Sequence, residues 1–189
     1  MAASSSGNKY LSGELTFICA VVIKDAVRKD AGQSVRELKR AGIHTVMITG
    51  DSGETARAVA AECSLIDEEH SEVLSSDELS LMSDEELAAH LPRLAVVSRA
   101  LPSDKSRLVR IAESLGNVVG MTGDGINDAP VLARADVGIA MGALGSDAAI
   151  EAADVVLMDD DPKKIATAIG IARKCLRIVY ENIWFAIGV

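Results

Sequence analysis

Aromatic residues are scarce. Phe, Trp and Tyr make up 3% of the 189 residues, so any core must be built from Ala, Val, Ile and Leu. Cysteine is scarce too: Cys19, Cys63 and Cys175 lie far apart, with no CxxC pair. That argues against a disulfide framework and a structural zinc site, and fits a reducing compartment. Cys19 and Cys63 sit in apolar or Ala-rich patterns and read as packing residues. The polar start "MAASSSGNK" lacks the apolar centre of a secretory signal, and residues 1–14 read as poorly ordered. No apolar run reaches the roughly 20 residues of a membrane span. The nearest is "IVYENIWFAIGV" at 178–189, which carries Glu181 and Asn182. It reads as the start of a membrane-proximal or transmembrane helix.

Positive charge is in deficit as well. A net charge of −9 excludes a general nucleic-acid binder. The stretch 67–92 holds nine acids (Asp67, Glu68, Glu69, Glu72, Asp77, Glu78, Asp84, Glu85, Glu86) and no Lys or Arg, apart from which 19 of the 28 acids face 19 bases. That stretch reads as a solvated surface insertion, partly mobile, with one short helix at 83–91 whose Ser83 and Glu86 have capping-box spacing.

What remains is an α/β pattern. Apolar residues make up 49% of the chain, enough for one ordinary domain. "LTFICAVVI" (15–23) is almost continuously apolar and β-branched, as a strand buried on both faces should be. A helix is predicted at 30–41, with Val35, Leu38 and Ala41 on one face and Gly42 as its stop. Strand "HTVMI" (44–48) and a helix near 54–63 follow, then strand "LAVVS" (94–98). The helix at 103–115 repeats Leu108, Ile111, Ala112 and Leu115 at helical spacing and ends at Gly116. Strands "NVVGM" (117–121), "DVGIAM" (136–141) and "DVVLM" (154–158) come next, with a helix near 146–152 between the last two. A long helix starts at Asp161–Pro162. Repeated β-α units imply a Rossmann-like parallel sheet with helices on both faces. In such sheets the working loops lie at the carboxyl ends of strands. The loops "TGD" (49–51), "RALPSDK" (99–105) and "TGDGIND" (122–128) each follow a predicted strand and should converge on one edge.

Their residue types suit phosphoryl chemistry. A phosphoryl site needs Mg²⁺ on hard oxygen ligands, donors for the phosphate oxygens and a nearby cation. Asp124 and Asp128 can hold or orient the metal, and Gly123 and Gly125 allow close backbone approach to an anion. Thr49 and the Gly50 amide can donate to phosphate, and Lys105 can neutralise developing charge. Taken singly, "TGD" and Lys105 are ordinary turn and surface features. "TGDGINDAP" (122–130) is far harder to reach by chance.

With "KDAVRKD" (24–30), "VMITGDSGETARAVA" (46–59), "LPSDKSRLV" (101–109) and "ADVGIAMG" (135–142), this motif gives a clear resemblance. From about residue 15 to the end, the chain resembles the phosphorylation domain of P-type cation-transporting ATPases, in the haloacid-dehalogenase-like superfamily. The resemblance implies that Asp124 ligates Mg²⁺ and that Asn127 and Asp128 position metal and phosphoryl group. It implies phosphate contacts from Thr49, Gly50 and Asp51, and a bridging role for Lys105. Asp25, Arg28 and Arg99 match positions near the nucleotide or the hinge. ATP is the family's phosphoryl donor. The partners implied are the pump's remaining domains or a second chain, and the membrane through the C-terminal helix. The domain would sit on the cytosolic face of a membrane, and this chain by itself would be cytoplasmic.

Two departures matter. The family's proline after the hinge aspartate is Ala26 here. More important, the phosphorylated aspartate of a "DKTGT" motif is absent from these residues, as are actuator, nucleotide-binding and ion-binding segments. "VVLMDDDPKK" is the other strand followed by acids; it lacks the threonine and reads as a cap for the last helix. The stretch 76–109 resembles calcium-type pumps and the stretch 135–189 resembles zinc and cadmium pumps, so the ion is not readable. The expected function is the C-terminal part of a phosphorylation domain, inactive without the missing aspartate. The alternatives are a non-catalytic Mg²⁺/phosphate-binding module, a split subunit completed by a partner chain, and a soluble phosphatase of the same superfamily.

Overall fold

The computed structural model describes residues 27–28, 30–143 and 145–188. The predicted strand at 15–23, Asp25 and the N-terminal 1–14 lie outside the described residues. Within them, helices and parallel strands alternate, as the sequence pattern implies.

Helix α1 (Ala31–Arg40) buries Val35 and Leu38 and ends at Gly42, whose φ of +78° is one glycine adopts without strain. Strand β1 is only Met47–Ile48. Ser52 caps α2 (Gly53–Glu62) by accepting the Thr55 N–H, and Ala56 and Ala60 are its buried face. Strand β3 (Leu94–Ser98) is buried at all five positions. Helix α5 (Pro102–Ser114) buries Leu108, Val109 and Ile111; Leu115 lies beyond its end and is exposed. Strands β4 (Gly120–Gly123), β5 (Val137–Met141) and β6 (Val155–Leu157) follow, with α6 (Ala129–Leu132) and α7 (Asp147–Ala152) between them. Helix α8 (Lys163–Gly188) closes the described chain.

The acidic segment is built into this fold rather than hung from it. Residues 72–75 form strand β2, parallel to β3, with Leu74 opposite Val97. Helices α3 (Ser76–Leu81) and α4 (Asp84–His90) each start with a complete capping box, Ser75/Glu78 and Ser83/Glu86. Leu79 and Leu87 are fully buried against Leu94, Val97, Leu108 and Ile111. The acids find cations from outside the segment: Lys39 meets Asp67 at 2.5 Å, Arg93 meets Glu72 at 3.6 Å, and Arg107 and Arg110 both meet Asp84 at 2.8 Å. The acidic run is therefore one side of a charge-matched contact.

The strands form two parallel three-stranded sheets, in the orders β1-β3-β2 and β4-β5-β6. Helices α1 and α2 cover one face of the first sheet, with Val35, Ala56 and Ala60 packed on Ala95 and Val96. Helices α3, α4 and α5 cover the other. Helix α5 also reaches the second sheet, where Val109 packs with Val131, Ala135, Val119 and Met121. The two sheets thus share α5, and the carboxyl ends of their strands carry the loops singled out in the sequence.

Candidate magnesium–phosphoryl site

At the end of β1, Thr49 is held on both sides. Its N–H donates to Val97 O and its carbonyl accepts the Ala100 N–H, both at 2.9 Å. Asp51 turns back on it: the Asp51 N–H donates to Thr49 Oγ1, and that hydroxyl donates to Asp51 Oδ2, each at 3.1 Å. The Asp51 carbonyl accepts the Arg99 N–H at 2.9 Å. Arg99 has a φ of +51°, an uncommon left-handed backbone for a side chain of its size. The "TGD" loop and the "RALPSDK" loop are thereby joined through main-chain bonds.

The second loop feeds α5. Asp104 Oδ2 accepts the Leu101 N–H at 2.8 Å and the Ser76 hydroxyl at 2.6 Å, fixing the helix start to α3. One residue later, Lys105 Nζ donates to Asp128 Oδ1 at 2.5 Å. This bond joins the second loop to the third. Asp128 is buried, with 8% of its surface exposed, and its other oxygen accepts the Gly125 N–H at 3.4 Å. Burial of a carboxylate is tolerable only with such partners. Gly123 allows it: a Cβ there would lie 2.5 Å from the Asp128 Cβ.

Asp124 differs. It is exposed, its carbonyl accepts the Ser146 N–H at 2.8 Å, and its carboxylate has no protein partner among the described residues. A free carboxylate beside a buried, oriented one suits Mg²⁺, which takes one or two carboxylates and completes its shell with water and phosphate oxygens. Among the described residues no cluster of three or more His, Cys, Asp or Glu could hold a metal outright. Asn127 is exposed in the same loop.

The remaining predicted residues stand apart. Arg28 Nη1 donates to the Asp160 carbonyl at 2.8 Å, tying the entry of α1 to the loop after β6. Asp160 is buried and its Oδ1 accepts the Ala143 N–H at 3.0 Å. Arg99 lines a cavity of about 590 Å³ with Ser52, Arg57 and Ser75 at the carboxyl edge of the first sheet. In "VVLMDDDPKK", Asp161 caps α8 by accepting the Lys163 N–H at 3.0 Å. Asp104, Ser146 and Asp160 were given no individual role in the sequence, although Asp104 and Ser146 stand at predicted helix starts.

The haloacid dehalogenase-like hydrolase family profile matches residues 4–136. The chain belongs to the haloacid dehalogenase-like hydrolases. Within that family it is similar to ion pumps. It is 44% identical over 95% of its length to "Calcium-transporting ATPase 1" of Bacillus cereus, of which it covers 20%. It is 46% identical over 90% of its length to the "Cadmium, zinc and cobalt-transporting ATPase" of Bacillus subtilis, of which it covers 21%. A crystal structure of a zinc-transporting PIB-type ATPase in an E2.Pi state superposes with a TM-score of 0.67 at 30% identity, covering 87% of this chain and 22% of that one. The chain spans about a fifth of the length of these relatives. Calcium-type and heavy-metal-type pumps match it about equally well, as the mixed motifs imply.

Proposed function

We propose that this haloacid dehalogenase-like chain is the C-terminal part of a P-type ATPase phosphorylation domain and carries half of a Mg²⁺-dependent phosphoryl site. The Lys105–Asp128 bond carries this reading, because it unites two separate loops at the carboxyl edge through an oriented cation and carboxylate. Asp124 and Asp128 would hold Mg²⁺, which when bound supplies charge neutralisation at a phosphoryl group. Asp128 keeps Lys105 at the mouth of the site. Thr49 and the Gly50 amide offer donors, Asp51 orients the Thr49 hydroxyl, and Asn127 offers an amide from the third loop. Asp25, Arg28 and Arg99 belong to the nucleotide or hinge side in this reading. Covalent catalysis still needs a nucleophile, and no "DKTGT" aspartate is present, so the chain by itself turns over no ATP. A non-catalytic Mg²⁺/phosphate module is the second reading; the free Asp124 carboxylate supports it equally.

The reading is tested by Mg²⁺ titration followed through backbone amide shifts. The native chain should bind Mg²⁺ weakly, in the millimolar range expected of two carboxylates. Asp124→Ala should abolish the response at Gly123 and Gly125 without unfolding the chain. A response that survives Asp124→Ala places the metal elsewhere. Incubation with Mg²⁺ and γ-labelled ATP should leave the chain unlabelled. A hydroxylamine-sensitive label would make it an enzyme in its own right.

A further inference from the structure

Lys105 lies in the first turn of α5, and that turn holds itself weakly. Pro102 has no N–H to contribute. The Lys105 N–H reaches the Leu101 carbonyl at 3.4 Å, long for a helical bond. Helix starts leave several N–H groups without intrahelical partners, and such ends fray. The lysine stem adds four flexible carbons of its own. The Asp128 bond alone holds only the tip of that stem, so the Lys105 backbone must be fixed by something else.

The bonds that fix it come from residues 76–84. At 3.6 residues per turn, Asp104, Arg107, Leu108 and Ile111 fall within about 100° of the α5 circumference, and Lys105 and Val109 lie on the neighbouring face. The first face meets α3 and α4, where Leu108 and Ile111 pack with Leu79 and Leu87. The buried Ser76 hydroxyl donates to Asp104 Oδ2 at 2.6 Å. Arg107 takes up the carbonyls at the end of α3. Its Nη1 donates to the Leu79 carbonyl at 2.6 Å and its Nη2 to the Met82 carbonyl at 2.7 Å. Its Nε donates to Asp84 Oδ1 at 2.8 Å, at the start of α4. The second face meets the other sheet, where Lys105 bonds Asp128 and Val109 packs with Val131.

These contacts are not of equal weight. Arg110 also reaches Asp84, but its side chain is 51% exposed, and exposed pairs contribute little. The Arg107 side chain is 23% exposed and makes three charge-assisted bonds, each stronger than a neutral one. Asp104 works through a single atom: Oδ2 accepts both the Ser76 hydroxyl and the Leu101 N–H. What it supplies is an acceptor in the right place rather than a charge.

We infer that Asp104 and Arg107 are positioning residues for Lys105. They anchor the first turn of α5 to residues 76–84, so part of the acidic segment sets where the ammonium meets the phosphoryl site. The inference rests on the phosphoryl reading for what Lys105 does; its placement is a property of the fold. Placement matters because a displacement of about 1 Å in a group acting on a reacting centre can cost about a hundredfold in rate.

Side-chain ammonium spectra of the ¹⁵N-labelled chain, recorded without Mg²⁺ or phosphate, test it. A lysine ammonium held in a hydrogen bond and shielded from water gives its own ¹H–¹⁵N signal; a mobile one exchanges too fast. The native chain should show such a signal for Lys105, identified by its loss in Lys105→Met. Asp104→Ala and Arg107→Met should lose it while the Val96 and Ile139 amides keep their shifts, which shows both sheets intact. Asp104→Asn should keep it, because the amide oxygen can accept both bonds. Arg110→Met should keep it as well. Ser76→Ala removes one hydroxyl and leaves the Leu101 cap in place; it should weaken the signal, and it serves where Asp104→Ala fails to fold. A Lys105 signal unchanged in both Arg107→Met and Ser76→Ala would overturn the inference and leave Lys105 placed by Asp128 alone. Loss of the signal in Asp104→Asn would also overturn it, since charge rather than an acceptor would then be at work. The Mg²⁺ response at Gly123 and Gly125 is read separately, so the positioning can stand while the metal reading falls, and the reverse.

Discussion

Asp128 and Lys105 show how one residue pair can serve both fold and site. Asp128 is buried, and its charge is matched by Lys105 and the Gly125 amide. Lys105→Met removes the cation and leaves a buried carboxylate with only the Gly125 N–H as partner. The expected loss is about 1–3 kcal/mol of stability, the usual result of unpairing a buried polar group; urea unfolding measures it. Asp128→Asn with Lys105→Met should recover part of that loss, because neither group is then left as an unpaired charge. Gly123 is the other sensitive position. A methyl group there meets Asp128 at 2.5 Å, and the carboxylate has to move. Gly123→Ala should cost about 1–3 kcal/mol, as overpacking does, and should weaken Mg²⁺ binding. An unchanged unfolding midpoint would mean the loop gives way freely. Asp128 and Gly123 were legible because "TGDGINDAP" compresses them into one run. The Arg28–Asp160 tie was not: its partners stand 132 positions apart, and no local pattern links them.

Elements with a strong period were read nearly to the residue, and those decided by pairing were not. α1, α2 and α5 follow their apolar spacing to within a residue or two of the predicted ends. β4 was placed at 117–121 and forms at 120–123, because its register is set by Val137–Ala140 across the sheet and its glycines carry no strand preference. β2 was missed entirely. Its four residues lie in an acidic run, and only Leu74 is buried. Helix α3 after it was missed too, although Ser75 and Glu78 have capping-box spacing. The joint between this segment and the core predicts a pH response. His44 Nε2 contacts the Leu94 carbonyl at 2.7 Å, and its ring lies 4.2 Å from the ring of His70. Burial holds its pKa below the usual histidine value, opposed by the Leu94 bond, and neighbouring His70 lowers it further. A base whose folded pKa is lowered binds its proton more readily when unfolded. Its contribution is therefore complete above about pH 6.5 and declines as pH falls toward the folded value. Asp67 adds a second step: the bond from Lys39, then the His70 N–H, hold its carboxyl far below the usual range. Its contribution is present above about pH 4 and is lost in stronger acid. Urea midpoints across pH 5–8 should fall below about pH 6.5, and His44→Gln should flatten that fall. A slope that survives the substitution assigns the response to another group.

At the scale of the whole molecule, the outlying part is α8. It runs for 26 residues without one buried position. Its early part lies along α1, where Arg173 Nη2 donates to the Ala41 carbonyl at 3.0 Å. Beyond that, Ile183, Trp184, Phe185 and Ile187 stand exposed, with Trp184 at 73% and Phe185 at 74%. Such a dense apolar end is more than scattered surface hydrophobes and marks a surface that expects cover. No helix among the described residues is long and apolar enough to cross a membrane. The reading of 178–189 as the start of a membrane-proximal or transmembrane helix remains a proposal. Trp184 is the single tryptophan of the chain, so its emission reports on this end alone. In buffer at low concentration the emission should be that of a solvated indole. Non-ionic detergent micelles should shift it to the blue, because an aromatic pair with a wet polar flank partitions to an apolar–water boundary. Ile183→Glu with Phe185→Glu should abolish the shift, while far-ultraviolet circular dichroism keeps the signature of the α/β core. A blue-shifted emission already present without detergent, growing with protein concentration, would instead show that copies of this chain cover the helix for one another. That would replace the membrane-proximal reading with self-association.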